Sequence, residues 1–558
     1  MNQSNLKKLQ NLLKEKDIDI FVINRSDEYL NEYISPNAER LNFITNFSGS
    51  AGRAIITPTD AFLYVDGRYT FQANTQINAK EIHAKHLNSF WTDLEKILLE
   101  EEYKIALDPT LHSIIEIEKV EKMLENSTSQ LQLIDKNFVD LIWENQPKTQ
   151  YTDIFDHPTS FAGQGRREKL DILKKFLDQN EIDHYFVSGL DNIAWLLNLR
   201  ADDIKYTPLL YSYLLISKNN KHSLYIKESS MPEILKKEIQ TLININNIEN
   251  IGSIFNNINS SESIGLDFNS TTYYFLDLLR KQKINTKNLA NPCILLKAIK
   301  NETELDGAKK AHIRDGVSIT KYIYWLKNIM DPKSNDEISV AQHLESLRRK
   351  NELFHSLSFD TISAIDKNAA LPHYRVTEEG KSSFSDNNIY LVDSGGQYFD
   401  GTTDITRTII LGEATTEQKD RFTRVLKGHI ALSNHVFDKG TKGTDIDYLA
   451  RKSLQEINLD YDHGTGHGIG SFLSVHEAPQ RIAKKSMFDS VELLPGMILS
   501  NEPGYYKENE YGIRTENLVV IKENNNKKLY FENISWCPID LDLIESSMLD
   551  QIERHWLN

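Results

Sequence analysis

The sequence has little cysteine, no long apolar run and no excess of positive charge. Its 558 residues include two cysteines, Cys293 and Cys537, which lie far apart and outside any CxxC pattern. Neither a disulfide framework nor a thiolate zinc site is therefore expected. The 64 Lys and Arg residues are outnumbered by 80 Asp and Glu residues, and this net charge of -16 argues against nucleic acid or an anionic membrane as a partner.

No stretch of about 18 apolar residues is present, so no membrane-spanning helix is expected. The N-terminal segment is predicted to form an amphipathic surface helix, because Leu6, Leu9 and Leu13 recur at helical spacing between lysines. A signal peptide would need an uninterrupted apolar core of about 7 to 15 residues. We therefore expect a cytoplasmic protein.

The composition is that of a folded chain, with 40% hydrophobic and 26% charged residues. One order of elements occurs twice. A helix from Leu6 precedes the strand KDIDIFVI, a helical stretch around Tyr29 and Leu30, and the strand-like run GRAIITPTDAFLYVDGRY. From Arg166 a helix precedes NEIDHYFVSG, LDNIAWLLNLR and SYLLISKNNKHSLYIKE. This alternation predicts two α/β domains, either related by duplication or merely alike at this level of detail.

The texture changes near Lys297. A long helix with an acidic start and a second helix, DEISVAQHLESLRRK, come first, and strand-rich segments follow from Phe359. We therefore predict α/β domains at residues 1–156 and 157–296 and an α+β domain at 297–558 that ends in a short extension.

Two carboxylates lie eleven residues apart in NNIYLVDSGGQYFDGTTDITRTIILG. Asp393 ends one strand-like run and Asp404 lies in the next. Across a hairpin this separation can bring both side chains to one face. Burying the two carboxylates together would be costly without a compensating cation. Either residue alone would more often be a helix cap or a solvated group.

Two further clusters complete a candidate metal site. DHGTGHGIGSFLSVHEAP holds His463, His467 and His476 in a Gly-rich segment that lets imidazoles converge, and it lacks the phosphate-loop patterns GxGxxG and GKS/T. Glu502 and Glu516 lie on the two arms of a second predicted hairpin. Four carboxylates and one histidine suit two divalent cations, Mn²⁺ better than Zn²⁺ or Co²⁺.

The ordered set Asp393, Asp404, His467, Glu502 and Glu516 resembles the metal ligands of the pita-bread metallopeptidases of family M24, which include methionine aminopeptidase, prolidase and aminopeptidase P. The resemblance is closer to the cytosolic Xaa-Pro aminopeptidases. It extends over ERLNFITNFSGSAGRAIIT, VDGRY, LDNIAWLLNLRADDI and SLSFDTISA. It implies two tandem creatinase-like N-terminal α/β domains followed by a C-terminal pita-bread catalytic domain.

The resemblance also implies roles for single residues. Asp393 would bind one metal ion, His467 and Glu502 the other, and Asp404 and Glu516 would bridge the two. The spacing of nine residues from His467 to the next histidine departs from the seven of the short bacterial prolidase type and favours the long, three-domain type.

Other residues match the family's substrate site. His373, His463 and His476 would line that site and assist proton transfer, and Glu502 would carry the proton of the attacking water. Arg514 would orient a metal-binding carboxylate.

The activity implied is release of the N-terminal residue from small peptides with proline in second place, by a hydroxide held between two divalent metal ions. A homodimer is also implied. Three aromatic residues, Phe359, Tyr505 and Tyr506, are open candidates for a proline pocket. The alternatives are a prolidase that cleaves only Xaa-Pro dipeptides and a non-catalytic pita-bread binding module. Creatinase-like chemistry is disfavoured because that branch works without the metal set.

Overall fold

The chain folds into two units. A computed structural model describes residues 4–485 and 491–558. The first unit comprises Met1–Asp156, Gly165–Lys205 and Leu209–Pro292, and the second comprises His157–Gln164, Tyr206–Pro208 and Cys293–Asn558. None of the described helices is both long and apolar enough to span a membrane.

The first unit contains two six-stranded sheets. The strands of the first sheet are β1 (Ile20–Asn24), β2 (Arg53–Ile56), β3 (Ala61–Val65), β4 (His83–His86), β5 (Lys104–Leu107) and β6 (Gln130–Leu133). The helices in this part of the chain are α1 (Asn5–Glu15), α2 (Arg40–Thr45), α3 (Thr70–Gln76), α4 (Phe90–Glu100), α5 (Ile114–Leu124) and α6 (Phe138–Ile142). The strand order is β4-β3-β2-β1-β5-β6.

The second sheet has the same topology. The strands that follow are β7 (Phe155–Asp156), β8 (His184–Val187), β9 (Leu199–Arg200), β10 (Tyr213–Ser217), β11 (His222–Ile226), β12 (Ile243–Asn247), β13 (Ser263–Leu266) and β14 (Asn285–Asn288). Apart from the short pair β7–β9, they form the order β12-β11-β10-β8-β13-β14. Strand β1 is antiparallel to β2 and parallel to β5, and β8 is likewise antiparallel to β10 and parallel to β13.

The helices in this part of the chain are α7 (Thr159–Ala162), α8 (Arg166–Gln179), α9 (Leu190–Leu197), α10 (Glu233–Ile239), α11 (Tyr273–Lys281) and α12 (Pro292–Ala298). Of these, α7 and all of α12 after Pro292 belong to the second unit. The two predicted α/β arrangements are confirmed by the sheets. The three-domain boundaries and the common origin of the two sheets remain predictions.

One sequence expectation in the first unit is wrong. The segment around Tyr29 and Leu30 is a turn and not a helix. The Asp27 carboxylate accepts hydrogen bonds from the main-chain N–H groups of Tyr29 and Asn31, both at 3.0 Å, and Leu30 has a φ of 60°. An aspartate that bonds to the following main-chain N–H groups favours a turn over a helix.

The second unit is built from long helices and antiparallel strands, as predicted. Its further helices are α13 (Glu302–Asn328), α14 (Glu337–Arg348), α15 (Thr416–Ser433), α16 (Gly443–Gln455) and α17 (Gln551–Leu557). The Asn301 side chain accepts from Glu304 N at 3.0 Å and Glu304 accepts from Asn301 N at 3.0 Å, a capping box that explains why α13 begins at Glu302.

Most strands of this unit are short. In the chain most of them lie between α14 and α15 or after α16. They are β15 (Phe354–Leu357), β16 (Ile362–Ile365), β17 (Asn388–Ser394), β18 (Gly396–Tyr398), β19 (Gly401–Thr402), β20 (Ile405–Leu411), β21 (Val436–Phe437), β22 (Gly466–Gly468), β23 (Glu477–Ile482), β24 (Ile498–Asn501), β25 (Gly504–Lys507), β26 (Tyr511–Arg514), β27 (Asn517–Glu523) and β28 (Leu529–Asn533). They form sheets β15-β18-β19, β16-β17-β20, β21-β28-β27-β24-β22-β23 and β25-β26.

Two antiparallel pairs in this unit match the predicted hairpins. Strands β17 and β20 are paired along their full length, and all of β24 pairs with the start of β27, from Asn517 to Val520. In each case a smaller two-stranded element, β18–β19 or β25–β26, lies between the two arms in the chain. The four candidate carboxylates lie at corresponding ends of these two pairs.

Candidate metal centre

The first two candidate carboxylates lie where β17 and β20 meet. Asp393 is the second-last residue of β17 and pairs with Thr406, and Asp404 directly precedes β20. Asp393 and Asp404 are 8% and 4% exposed, so both carboxylates are largely withdrawn from water. The strand pairing therefore brings together two charges that are eleven residues apart in sequence.

The second pair occupies the matching position on β24 and β27. Glu502 directly follows β24 and Glu516 directly precedes β27, beside the pair formed by Asn501 and Asn517. Glu516 is buried and Glu502 is half-buried. The main-chain N–H of Glu516 donates to Thr406 O at 3.2 Å, which joins this strand pair to β20.

His467 lies in β22, the strand next to β24. A Cβ added at either neighbouring glycine, Gly466 or Gly468, would meet a carbonyl oxygen of the flanking strand, so the GHG sequence allows this close approach. His467 Nδ1 lies 3.0 Å from Gly468 O. Because a carbonyl oxygen only accepts, we assign the proton to Nδ1, which leaves a lone pair on Nε2.

That lone pair faces carboxylates. His467 Nε2 lies 3.4 Å from Glu502 Oε1 and 3.6 Å from Asp404 Oδ2. Asp404, His467 and Glu516 each offer one ligand atom, and these three atoms all lie within 4.8 Å of one another. Electron pairs that converge in this way repel one another unless a cation lies between them.

Three buried carboxylate oxygens at the site have no hydrogen-bond partner among the described residues: Asp393 Oδ1, Asp404 Oδ1 and Glu516 Oε1. Burial, together with the charges of Glu516 and Asp393, raises the pKa of Asp404 well above its ordinary value. Burial, with Glu502 and Asp393, does the same to the pKa of Glu516. Burial raises the pKa of Glu502 to about 7, although the charge of Arg514 opposes this shift.

These observations fit divalent cations. Buried oxygens without partners, mutual repulsion among the carboxylates and one neutral imidazole are the properties of a set of donors for hard or borderline cations. Protons would also relieve the repulsion. The site is therefore expected to exchange protons for metal ions.

Metal ions should stabilise the protein more at about pH 8 than at about pH 6. The pKa of Glu502 is about 7 in the folded protein, so the folded state holds this proton more tightly than the unfolded chain does, and the stability that the proton contributes is lost as the pH rises from about 4.5 to about 7. Cations replace those protons. Melting temperatures with and without Mn²⁺ across this range check the expectation, and a gain that is independent of pH would contradict it.

Arg514, the last residue of β26, touches the centre directly. Its Nη2 donates to Asp393 Oδ2 at 2.6 Å, its Nε to Thr406 Oγ1 at 3.2 Å and its Nη1 to Tyr506 Oη at 2.7 Å. With 2% exposure the guanidinium is buried against these partners. An arginine that orients a metal-binding carboxylate must contact that carboxylate, and Arg514 contacts Asp393 in this way.

The three other predicted histidines lie around the cluster. His463 Nδ1 lies 2.8 Å from Gly464 O, which assigns the proton to Nδ1, and Nε2 accepts from Tyr506 Oη at 2.9 Å. The rings of His476 and His467 are 4.4 Å apart and nearly perpendicular. His373 is half-buried, and its neighbour Pro372 accepts a hydrogen bond from Arg514 Nη1 at 3.1 Å.

The structure separates the three aromatic candidates for a proline pocket. Tyr506 contacts His463 and Arg514, whereas Tyr505 is buried with its ring 6.0 Å from that of Tyr511. Phe359 is 9% exposed. Of the two tyrosines, Tyr506 is the one at the cluster.

Sequence reasoning missed the hydroxyl groups that hold the carboxylates. Thr406 Oγ1 donates to Glu516 Oε2 at 2.7 Å, and Ser500 Oγ donates to Glu502 Oε1 at 3.1 Å. Ser500 Oγ also accepts from His467 N at 2.9 Å. Thr406 lies two residues after Asp404 and Ser500 lies two residues before Glu502. No pattern in the sequence marks a serine or threonine at these positions as part of a site.

Models of known families match most of the chain. Metallopeptidase family M24 matches residues 306–523, and the C-terminal region of peptidase M24 matches 527–558. The Creatinase/Prolidase N-terminal domain matches twice, at 5–136 and 145–304. All nine predicted site residues lie within 306–523.

Curated relatives match over almost the full length. Two proteins named probable Xaa-Pro aminopeptidase P, from Sordaria macrospora and Neosartorya fischeri, are each 38% identical to this chain over 99% of its length, which corresponds to 93% and 88% of those proteins.

Solved structures agree with this match. The X-prolyl aminopeptidase of Caenorhabditis elegans, described as a cytosolic enzyme with a di-nuclear active site, has a TM-score of 0.93 and 29% identity, with 99% of this chain and 93% of that chain covered. The prolidase of Pyrococcus horikoshii has a TM-score of 0.54 and 24% identity, and covers 67% of this chain and 99% of its own. The prolidase likeness concerns the fold.

Proposed function

The chain belongs to the Xaa-Pro aminopeptidase P group of metallopeptidase family M24, and on this premise we propose that it releases the N-terminal residue of peptides whose second residue is proline. The observation that carries the proposal is the buried convergence of Asp404, His467 and Glu516, with carboxylate oxygens that lack partners among the described residues. A binding module without metal would have no use for these mutually repelling groups. The aminopeptidase relatives also match 99% of the chain, against 67% for the prolidase structure.

We assign the metal ligands as follows. Asp393 would bind one divalent cation, His467 and Glu502 would bind the other, and Asp404 and Glu516 would be shared between the two. The support is the position of the four carboxylates at matching ends of two strand pairs and the lone pair of His467 Nε2 facing Asp404 and Glu502. Four hard oxygen donors and one nitrogen favour Mn²⁺ over Zn²⁺ or Co²⁺.

When bound, two such cations polarise a peptide carbonyl and lower the pKa of water enough for it to attack near neutral pH. The chain's own groups must then manage one proton. Hydrolysis breaks the bond between the first residue and proline and leaves that proton on the proline nitrogen. Glu502 is the proposed carrier, since its carboxylate lies in the cluster, with Oε1 3.4 Å from His467 Nε2 and held by Ser500 Oγ.

The histidines around the cluster would hold the peptide. His463, neutral with its proton on Nδ1, is fixed at Nε2 by the Tyr506 hydroxyl, and it contributes shape and hydrogen bonding to the substrate site. We propose His476 and His373 as donors to the carbonyl oxygen as negative charge develops there. Arg514 keeps the Asp393 carboxylate in place through Nη2.

Selection for proline has a covalent reason. The Xaa-Pro bond has no N–H, and the ring holds φ near -65°. Peptidases that bind the second residue through its N–H lose that hydrogen bond with proline and clash with its ring. A site that selects proline offers a flat, partly apolar wall instead, and Tyr506 is the aromatic candidate at the cluster.

One assay tests the proposal. Protein stripped of metal is offered Xaa-Pro-Xaa tripeptides, Xaa-Pro dipeptides and Met-Ala peptides, each with and without Mn²⁺, Zn²⁺ or Co²⁺, and the released residues are identified. We expect the first residue to be released from the tripeptides only when metal is present, with Mn²⁺ giving the highest rate.

The other outcomes identify the alternatives. Cleavage confined to the dipeptides would indicate a prolidase. Cleavage of the Met-Ala peptides would indicate a methionine aminopeptidase, and no cleavage by metal-loaded protein would favour a binding module. The native metal follows from the metal content of protein purified without added salts.

We extend the proposal to a homodimer in the cytosol that takes small peptides as its partners. The cytosolic location is supported by the description of the Caenorhabditis elegans relative. The dimer rests on the family resemblance alone, and light scattering of the same preparation would show a single-chain mass if it is wrong.

A further inference from the structure

A buried arginine on α16 binds the loop that carries His463. Arg451 is 1% exposed, and its Nε donates to Asp447 Oδ2 on the preceding helical turn at 2.6 Å. Its other nitrogens leave the helix. Nη1 donates to Asp460 Oδ1 at 2.8 Å and to Tyr461 O at 2.6 Å, and Nη2 donates to His463 O at 2.8 Å. One rigid guanidinium therefore connects three positions of the loop to the helix.

The loop returns contacts to the same two helix residues. The Tyr461 ring lies under the guanidinium of Arg451, 3.8 Å from ring centroid to Cζ. Thr465 Oγ1 donates to Asp447 Oδ1 at 2.5 Å and lies 2.6 Å from Tyr461 Oη. The carboxylate of Asp447 is thus shared, one oxygen with Arg451 and the other with the loop, and the network closes on itself.

The segment held in this way positions the candidate centre. His463 reaches Tyr506 Oη with Nε2, and the carbonyl of Thr465 accepts from Glu502 N at 2.8 Å. His467 follows two residues after Thr465. A shift of this loop would therefore move a substrate-site imidazole and the main chain of a proposed metal ligand together.

We propose that Arg451 is a positioning residue for peptide hydrolysis: by fixing the carbonyls of Tyr461 and His463, it sets the place of the His463 imidazole and of the Glu502 main chain. The inference rests on the proposed function of this centre. Groups that orient the residues at a metal site typically change activity by about 10- to 100-fold when they are replaced. A purely structural ion pair would change the amount of folded protein instead.

Arg451→Lys is the informative substitution. Lysine keeps the positive charge next to Asp447, but a compact ammonium cannot reach both carbonyls and Asp460 at once. We expect kcat/KM for Xaa-Pro-Xaa peptides to fall by about 10- to 100-fold, with metal content unchanged. Arg424→Lys is the matched control, because Arg424 on α15 binds Asp420, Ser453 O and Glu456 and, in the described part of the chain, has no hydrogen bond or ion pair to residues 460–468.

A double-substitution cycle separates positioning from stability. If Arg451 acts through His463, Arg451→Lys lowers kcat/KM much less in a His463→Ala background than in the native one, whereas loss of folded protein would be equal in both. Hydrogen exchange gives a readout without activity. Main-chain amides of residues 460–468 should exchange faster in Arg451→Lys than in Arg424→Lys.

Unchanged exchange at residues 460–468 would overturn the inference, and additive losses in the cycle would overturn the part of it that acts through His463. The exchange measurement also distinguishes the two levels of the proposal. If the native protein cleaves no Xaa-Pro peptide, the proposed function fails on the native protein alone, while faster exchange in Arg451→Lys would still show that the arginine holds the loop.

Discussion

Glu516→Gln is expected to lower kcat/KM for Xaa-Pro-Xaa peptides by about 10³-fold. The amide keeps the size of the side chain and an oxygen that can still accept from Thr406 Oγ1, but it removes one of four negative charges. A catalytic metal supplies several kcal/mol of charge stabilisation, and about 4 kcal/mol corresponds to about 10³-fold in rate. Metal content, measured by elemental mass spectrometry, should fall below two ions per chain.

The same substitution should not weaken the metal-free protein. Glu516 is buried next to like charges that raise its pKa, so a neutral amide relieves repulsion in the absence of metal. We expect the melting temperature of the metal-free variant to equal or exceed that of the native protein, while the gain on adding Mn²⁺ is largely lost.

Glu417→Gln is the control for Glu516→Gln. Glu417 on α15 accepts from Lys507 Nζ at 2.9 Å and from Tyr511 Oη at 2.7 Å, with 41% of its side chain exposed. Its replacement should leave rate and metal content unchanged. If Glu516→Gln also keeps native rate and two metal ions, its proposed bridging role is wrong.

Arg348→Met should lower the free energy of unfolding by about 3–5 kcal/mol. Arg348 on α14 is fully buried and pairs with Asp315 on α13 through Nε–Oδ1 at 2.7 Å and Nη2–Oδ2 at 3.0 Å. Burial opposes ionisation of Asp315, but the charge and hydrogen bonds of Arg348 hold the pKa of that carboxyl below its usual value. Methionine would leave the carboxylate buried without its cation.

The loss should depend on pH. In Arg348→Met the pKa of Asp315 rises, so the carboxyl becomes neutral in mildly acidic solution, and denaturant unfolding should show a smaller deficit at about pH 5 than at about pH 7. Arg348→Met combined with Asp315→Leu is the control, because it replaces both charges by apolar groups and should recover most of the stability. An equal loss in the double variant would show that packing, and not charge, is what the arginine provides.

Arg348 also illustrates a contact that the sequence does not reveal. Its Nη2 donates to Ser394 Oγ at 3.1 Å, next to the proposed ligand Asp393, and Tyr398 Oη donates to Asp315 Oδ1 at 2.8 Å. The helix that carries Arg348 was predicted from the sequence DEISVAQHLESLRRK. The ion pair of Arg348 with Asp315 was not predicted, because the spacing of residues along a helix does not indicate which distant carboxylate a charged side chain will contact.

Sequence patterns that repeat within a few residues predicted helices and strands well. The apolar spacing of α1, the acidic start of α13 and the strand-like runs of β17 and β20 all correspond to observed elements. The failure at Tyr29 and Leu30 has a local cause, because the hydrogen bonds of the Asp27 carboxylate stabilise a turn in a segment that also has helical spacing.

The site shows the same division. The order Asp393, Asp404, His467, Glu502 and Glu516 was visible in the chain, since metal chemistry needs particular residue types and the family pattern preserves their order. The hydroxyls of Thr406 and Ser500, which hold the carboxylates, were not visible, because serine and threonine are common in strands for reasons unrelated to a site.

The sequence by itself determined the inventory: a chain poor in cysteine and rich in acid, two successive α/β regions, and an ordered set of oxygen and nitrogen donors in the third. Only the tertiary structure decided which donors lie within 4.8 Å of one another and which carboxylate oxygens have no partner among the described residues. It also decided that Arg451 holds the loop and that Arg514 holds the carboxylate of Asp393. The physical reason is range. Backbone preference and apolar spacing act over a few residues, whereas the energy of a buried charge depends on every group that folding brings to within a few ångströms, however far away in the chain.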